Sequence, residues 1–429
     1  MQHTSGIYNF SNIRYAQPPT GELRFQAPQS LKTDRTILTG EDGPISLGWK
    51  INSTYVNASE HATPLSPAQV PLPIPHESED YLFLDVHVPE KTLFDRNKSD
   101  GAAVIVWIHG WGLTMGWKDA QYDPAGLVAQ SLLQIGKEVI FVALNYRKLG
   151  AFRWSGGPSL QSDSTANASL LDQRFALEWV QQNIKSFGGD PKVTLTGESS
   201  GACSIFGHLT SYGGGNGPVP FQQSLTQSSC GFAYAPSVSD IIFQSFLKTA
   251  KVTSVQEARA LSSEELRVAN YVQVSGSQWS SFTYGQRIAS LTAVASTKYL
   301  QPSSLMRAAL TVIDFEFVCA NTALTRAVDN CTYNYIFAVP PALHTGDLNS
   351  TFYTGPTQPQ DPNDQAAVDL QRWVSSFAVE GRPAAKGTEV FGEYWSDGMV
   401  QTLALTGVGR EVDPAVAKRC DFWFEEFYK

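Results

Sequence analysis

Apolar residues in this chain fall into two patterns. Unbroken runs come first: Ala103-Val-Ile-Val-Trp-Ile108 stops at His-Gly-Trp-Gly, and the stretch 138–144 stops at Asn-Tyr-Arg. Short runs without polar alternation, closed by turn residues, predict strands buried on both faces. Tyr81–Val88, Lys192–Thr196 and Thr332–Phe337 predict three more strands. The second pattern is helical. Leu171, Phe175, Leu177, Trp179, Val180 and Ile184 recur at helix spacing, and Gly-Gly-Asp-Pro closes the segment. Further helices are predicted after Gly201, over 364–379 and at the end of the chain, while 235–310 reads as helical and loop-like. Strands alternating with helices predict an α/β protein with a mainly parallel sheet and helices on both faces. Without a linker, repeat or low-complexity tract, one domain is expected over 1–429.

Composition narrows what such a protein can do. The 429 residues carry 31 basic and 40 acidic side chains, a net charge of −9, with no Lys/Arg-rich run. That balance argues against nucleic acid or an anionic membrane as the main partner. A 42% hydrophobic and 17% charged composition excludes a disordered chain. No apolar stretch approaches the roughly 18 residues of a membrane span. Asn-x-Ser/Thr acceptors stand at Asn9, Asn52, Asn57, Asn97, Asn167, Asn330 and Asn349, against roughly two or three by chance. The excess predicts passage through the secretory pathway and an extracellular protein. The opening MQHTSGIYNF lacks a basic n-region and an apolar h-region, so the natural start is expected upstream of Met1. The five cysteines show no metal-binding spacing, and no metal or cofactor is expected.

Candidate chemistry centres on Gly197-Glu-Ser-Ser-Gly201, where a strand passes into a helix. Gly-x-Ser-x-Gly alone is a weak signal, but this placement is the nucleophile-elbow position. A sharp turn there lifts Ser199 Oγ above the sheet and leaves the Ser200 N–H at a helix N-terminus, where an oxyanion is stabilised. A serine nucleophile needs a base. Only His208 and His344 follow Ser199. His208 lies nine residues on in the same helix, roughly 13 Å along its axis and out of reach. His344 sits in a loop after the strand 332–337, where catalytic groups gather in open α/β sheets. Ser199 is therefore the expected nucleophile and His344 the expected base.

Several segments together resemble the type B carboxylesterases, which include cholinesterases and fungal lipases. They are Tyr15-Ala-Gln-Pro-Pro-Thr-Gly-Glu-Leu-Arg-Phe25, Glu79-Asp80 with Leu82–Val86, Val106–Gly110, Asn145-Tyr-Arg147, Asp172–Trp179, Asn183–Pro191, Gly197–Ala202 and Cys420-Asp-Phe-Trp423. The resemblance implies an α/β-hydrolase fold, a small-molecule carboxylic ester as substrate, and hydrolysis through an acyl-enzyme. It also implies oxyanion donors at the backbone N–H groups of Trp111, Gly112 and Ser200, electrostatic support from Glu198, and a Cys319–Cys420 disulfide stabilising by about 2–4 kcal/mol. Trp111 stands where the family has Gly. Either its indole narrows the acyl pocket, favouring short acyl groups, or the loop takes another path. Tyr81 replaces a disulfide cysteine of the family.

The family's acid segment has no counterpart here. Asp240, Glu257, Glu264, Glu265, Asp314, Glu316 and Asp329 lie between Ser199 and His344, and none is assigned as triad acid. Compared with the family, the chain is expected to be truncated at its N-terminus and shortened near 285–306, lacking one sheet strand and the acid loop. The alternatives to an active esterase are a catalytically impaired cholinesterase-like binding protein and an incomplete gene product.

Overall fold

A computed structural model describes residues 2–4, 6–31, 45–46, 77–98, 100–112, 116–120, 122–148, 157–161, 165–215, 217–231, 236–275, 313–328, 331–355, 364–384, 391–394, 398–413 and 419–427. Its principal strands are β1 (Gln2–Thr4), β2 (Ile7–Arg14), β3 (Phe83–Pro89), β4 (Ala102–Ile108), β5 (Val139–Leu144), β6 (Gly189–Glu198), β7 (Gln223–Gln227), β8 (Tyr335–Phe337), β9 (Met399–Ala404) and β10 (Gly407–Val412), with Ile45–Ser46 and Glu77–Ser78 forming a separate two-residue parallel pair. The principal helices are α1 (Ala168–Asn183), α2 (Ser200–Thr210), α3 (Pro236–Ala250), α4 (Ser263–Ser275), α5 (Cys319–Ala327), α6 (Asp364–Glu380) and α7 (Arg419–Phe427).

Seven strands form one sheet in the order β1-β2-β3-β5-β4-β6-β7, parallel from β5 to β7. The unbroken apolar runs are explained by two-sided burial. Val104, Val106 and Ile108 of β4 face the core layer of α1 and α2, with Leu177, Val180 and Ile205. Ile105 and Trp107 face the other layer, with Leu370, Trp373 and Val374 of α6. Strand β5 divides the same way: Ile140, Val142 and Leu144 on one side, Val139, Phe141 and Ala143 on the other. α3 and α4 pack into a separate apolar cluster with Phe25 and Leu160. Distant sequence segments are tied by ion pairs: Arg24 holds Glu79 at 2.9 and 2.5 Å, and Arg147 grips Asp172 at 2.7 and 2.6 Å.

The second sheet, β8-β9-β10, pairs β8 parallel to β9 and β9 antiparallel to β10. Among the described residues no strand joins β7 to β8. Side chains bridge that seam, with Gln227 at the end of β7 donating to the Tyr335 hydroxyl of β8 at 3.2 Å.

Some sequence expectations shift here. The strand expected over Thr332–Phe337 is confined to Tyr335–Phe337, while that at Lys192–Thr196 extends to Gly189–Glu198. The β9–β10 hairpin was not expected, because Gly407-Val-Gly-Arg-Glu-Val412 has no strong apolar pattern. The expected shortening at 285–306 lies outside the described residues. Cys319–Cys420 is a disulfide, and so is Cys203–Cys230, which binds α2 to the segment after β7; Cys331 is in neither. No helix among the described residues is long and apolar enough to cross a membrane.

Candidate active site

Strand register brings four chain ends together. Ile108 pairs with Leu144 and with Gly197, and Glu198 pairs with Gln227. The loops after β4, β5, β6 and β7 therefore leave the same edge, the C-terminal edge where open α/β sheets hold ligands.

Ser199 occupies the turn between β6 and α2 with φ 53° and ψ −123°. A non-glycine residue is strained there, a conformation that persists only where its surroundings over-determine it. They do. The Ser199 N–H donates to the Gln227 carbonyl at 2.9 Å, and the Ser199 carbonyl accepts from the Cys203 N–H at 2.8 Å. Gly201 is indispensable to this turn: a Cβ on it would lie 2.0 Å from the Ile108 carbonyl oxygen.

His344 arrives from the second sheet. Its loop is folded by three consecutive turns, with N–H donors Ala342, Gly346 and Leu348 reaching the carbonyls of Val339, Leu343 and Thr345 at 2.8, 2.9 and 3.1 Å. His344 Nε2 lies 2.9 Å from Ser199 Oγ and 3.4 Å from Glu198 Oε1. The ring is half exposed, and Phe317 lies beside it with ring centres 5.9 Å apart. Burial lowers the His344 pKa from its ordinary value, and the charge of Asp347 opposes that shift.

Two carboxyls border the pair. Glu198 is buried and its pKa is raised to about 8, first by burial and then by Asp347, against the pull of Lys148. Asp347, three residues past His344, is buried and accepts from Tyr335 Oη at 2.8 Å and Gln227 Nε2 at 2.9 Å. Burial raises its pKa, while these donors and His344 oppose the rise. Gln227 thus receives the Ser199 N–H on its backbone and gives its side-chain amide to Asp347.

Facing Ser199 is the loop Gly110-Trp111-Gly112. A Cβ on Gly110 would fall 2.6 Å from the Glu198 carbonyl oxygen and 3.2 Å from Ser199 Cβ, so the loop lies directly on the Ser199 turn. Trp111 and Gly112 have φ 69° and 62°. Trp111 Nε1 donates to the Tyr122 hydroxyl at 2.7 Å, and its side chain remains 40% exposed beside the site. Tyr122 is fixed by Trp107 and Phe352, with ring centres 5.6 and 4.8 Å away. Ser200 Oγ donates to the Gly112 carbonyl. Lys148, fully buried, donates through Nζ to the Gly110 and Gly112 carbonyls at 2.5 and 3.2 Å.

The other candidates lie elsewhere. His208 is buried against Gln173 at 2.9 Å, its pKa lowered to about 3 by burial and then Arg174. Asp240 accepts from Ser159, Glu257 from Thr253, and Glu265 from Ser262; Glu264 pairs with Arg267. Asp314 is buried in the helical turn that carries Phe317. Asp329 and the Glu316 side chain lie outside the described residues. Sequence reasoning missed Lys148, Gln227, Tyr335 and Tyr122. Only Lys148 left a signal, a lysine directly after Asn-Tyr-Arg at a strand end.

A covered, largely parallel sheet with a strained serine turn at its C-terminal edge defines an α/β hydrolase. The structure of Aspergillus niger EstA superposes with a TM-score of 0.78, covering 99% of this chain and 95% of that one at 20% identity. The family model described as "Carboxylesterase family" matches residues 1–309. Carboxylesterase patB of Penicillium expansum is 31% identical over 522 aligned positions, covering 98% of this chain and 92% of the relative. As the chain has 429 residues, stretches of that relative have no counterpart here. The "Inactive carboxylesterase-like protein VdtD" of Byssochlamys spectabilis is 32% identical over 237 residues, 53% of this chain and 36% of that protein. The chain belongs to the carboxylesterase family.

Proposed function

We propose that the protein hydrolyses small carboxylic esters through an acyl-enzyme on Ser199. The observation that carries this reading is the 2.9 Å contact between Ser199 Oγ and His344 Nε2 at a strained elbow. His344 takes the Ser199 proton as Oγ attacks the ester carbonyl. The carbonyl oxygen becomes an oxyanion, held by the N–H groups of Trp111, Gly112 and Ser200. As the C–O bond to the alcohol breaks, the imidazolium returns its proton to the leaving oxygen. Water, deprotonated by His344, then attacks the acyl-enzyme and releases the acid and Ser199. The imidazolium formed in each half-reaction is supported by Asp347, and by Glu198 where the pH is high enough to ionise it, two carboxyls serving where a triad acid ordinarily stands.

A fluorophosphonate probe tests this. Folded wild-type protein should be labelled and Ser199→Ala should not. Unlabelled folded wild type would sink the proposal and favour the rival reading, a binding protein of the same fold. That rival is supported by the relative named inactive and by the lack of an acid at His344 Nδ1 among the described residues.

Trp111 bears on which esters enter. Its indole, tethered to Tyr122, bounds the space beside the reacting carbonyl. Short acyl groups are the preferred substrates on this reading. Trp111→Gly is expected to raise the ratio of octanoate to acetate kcat/KM about tenfold, each extra methylene in a pocket being worth a few-fold or more. An unchanged ratio would remove the indole from the pocket wall. Secretion is part of the same proposal, supported by the two disulfides and by acceptor asparagines Asn97, Asn167 and Asn349 at exposed positions.

A further inference from the structure

We propose that Lys148 is a positioning residue of the oxyanion hole, turning the Gly110–Trp111 peptide so that the Trp111 N–H faces Ser199. The proposal rests on the ester-hydrolase reading above, and it starts from a question of burial. Lys148 is 0% exposed. An ammonium taken fully out of water is costly unless its protons are satisfied. This one gives them to the carbonyls of Gly110 and Gly112, with the Tyr146 ring centre 4.6 Å away. Both carbonyls belong to the loop that lies on Ser199.

The geometry of a peptide plane does the rest. In a trans peptide the carbonyl of one residue and the N–H of the next point in opposite directions. The cis bond among the described residues is Pro340–Pro341, so the Gly110–Trp111 bond is trans. With the Gly110 oxygen drawn inward to Lys148, the Trp111 N–H of the same peptide is directed away from Lys148 and out of the core. Strand register explains why Lys148 can do this. Ile108 and Leu144 are paired at the ends of β4 and β5, so a residue four positions past β5 lies beside the loop that follows β4.

The need for such a grip comes from Trp111. Its φ of 69° is uncommon for any non-glycine residue and an outlier for a bulky one. Lys148 holds the carbonyls on both sides of that residue, and Ser200 Oγ holds the second of them again. A cation on a carbonyl also polarises its peptide, which strengthens the N–H as a donor.

The experiment is Lys148→Met, which keeps the length and removes the charge. Its loss leaves the Gly110 and Gly112 carbonyls without their donor, so melting temperature should fall by a few degrees while the variant still folds. In that folded variant kcat should fall roughly 10- to 100-fold with KM changed less than about threefold, the signature of a weakened transition-state donor. Affinity for a trifluoromethyl ketone, which forms a tetrahedral oxyanion adduct on serine, should fall by the same factor as kcat/KM. A second readout needs no turnover. In protein labelled with 15N-tryptophan, the Trp111 amide resonance, identified by its loss in Trp111→Phe, should move upfield in Lys148→Met. An unmoved Trp111 amide overturns the proposal even if the wild type proves silent toward fluorophosphonate. So does kcat/KM within threefold of wild type, or a fall in melting temperature with ketone affinity preserved.

Discussion

Ser199→Ala is expected to lower kcat/KM for a p-nitrophenyl ester by about 10⁵-fold or more, His344→Ala by a similar factor, and the double variant no further than either. Oγ and Nε2 share one proton across 2.9 Å, so removing either partner disables the whole step. The remaining activity would come from the oxyanion donors and from substrate binding alone. Both single variants should fold. His344 is half exposed, and alanine at position 199 keeps the N–H bond to Gln227 and the carbonyl bond from Cys203 that hold the turn. Steady-state kinetics on the four proteins settles the matter. Losses that multiply, or a His344→Ala variant within tenfold of wild type, would show that the two residues do not act as a unit.

Glu198→Gln should change stability and rate, and both changes should depend on pH. The folded protein holds the Glu198 pKa at about 8, above the ordinary 4.5, so between these values the native state binds a proton that the unfolded chain has released. Stability from this group is fully present below pH 4.5 and is lost as pH rises through 8, on the order of 3–5 kcal/mol in all. Glutamine has no proton to lose. The melting temperature of Glu198→Gln relative to wild type should therefore climb from pH 5 to about pH 8 and level off above it. Its rate should move in the opposite sense. An ionised Glu198, 3.4 Å from His344 Nε2, favours the imidazolium, so the variant should lose more activity at pH 9 than at pH 6. A melting difference independent of pH would mean that Glu198 is ionised throughout.

The parts of this structure legible in the sequence are those whose cause is local. β4 and β5 are unbroken apolar runs because both faces are covered, and the elbow is marked by Gly201, which has no room for a side chain. His344 could be chosen by elimination and by its place after a strand. The Gln227–Asp347–Tyr335 network could not. Gln227 is 120 residues from Asp347 and 108 from Tyr335, and neither glutamine nor tyrosine carries a motif. The Cys203–Cys230 bridge was hidden for a similar reason: five cysteines allow many pairings, and the family resemblance spoke for only one. Lys148 lay in plain view, but a lone lysine is ordinarily a solvated side chain, and its burial follows from the path of a loop 36–38 residues earlier.

Ser199, the proposed nucleophile, stands at the edge of the seven-stranded sheet and His344, its proposed base, on a loop of the three-stranded one, with side chains rather than a shared strand between β7 and β8 among the described residues. The Ser199–His344 contact therefore works as a vernier across that seam. A slip of an ångström between the two sheets, too small to disturb either core, would part Nε2 from Oγ. Mild denaturant should accordingly abolish the proposed esterase activity before fluorescence or circular dichroism reports any unfolding, and an ester bound across the seam should postpone that loss.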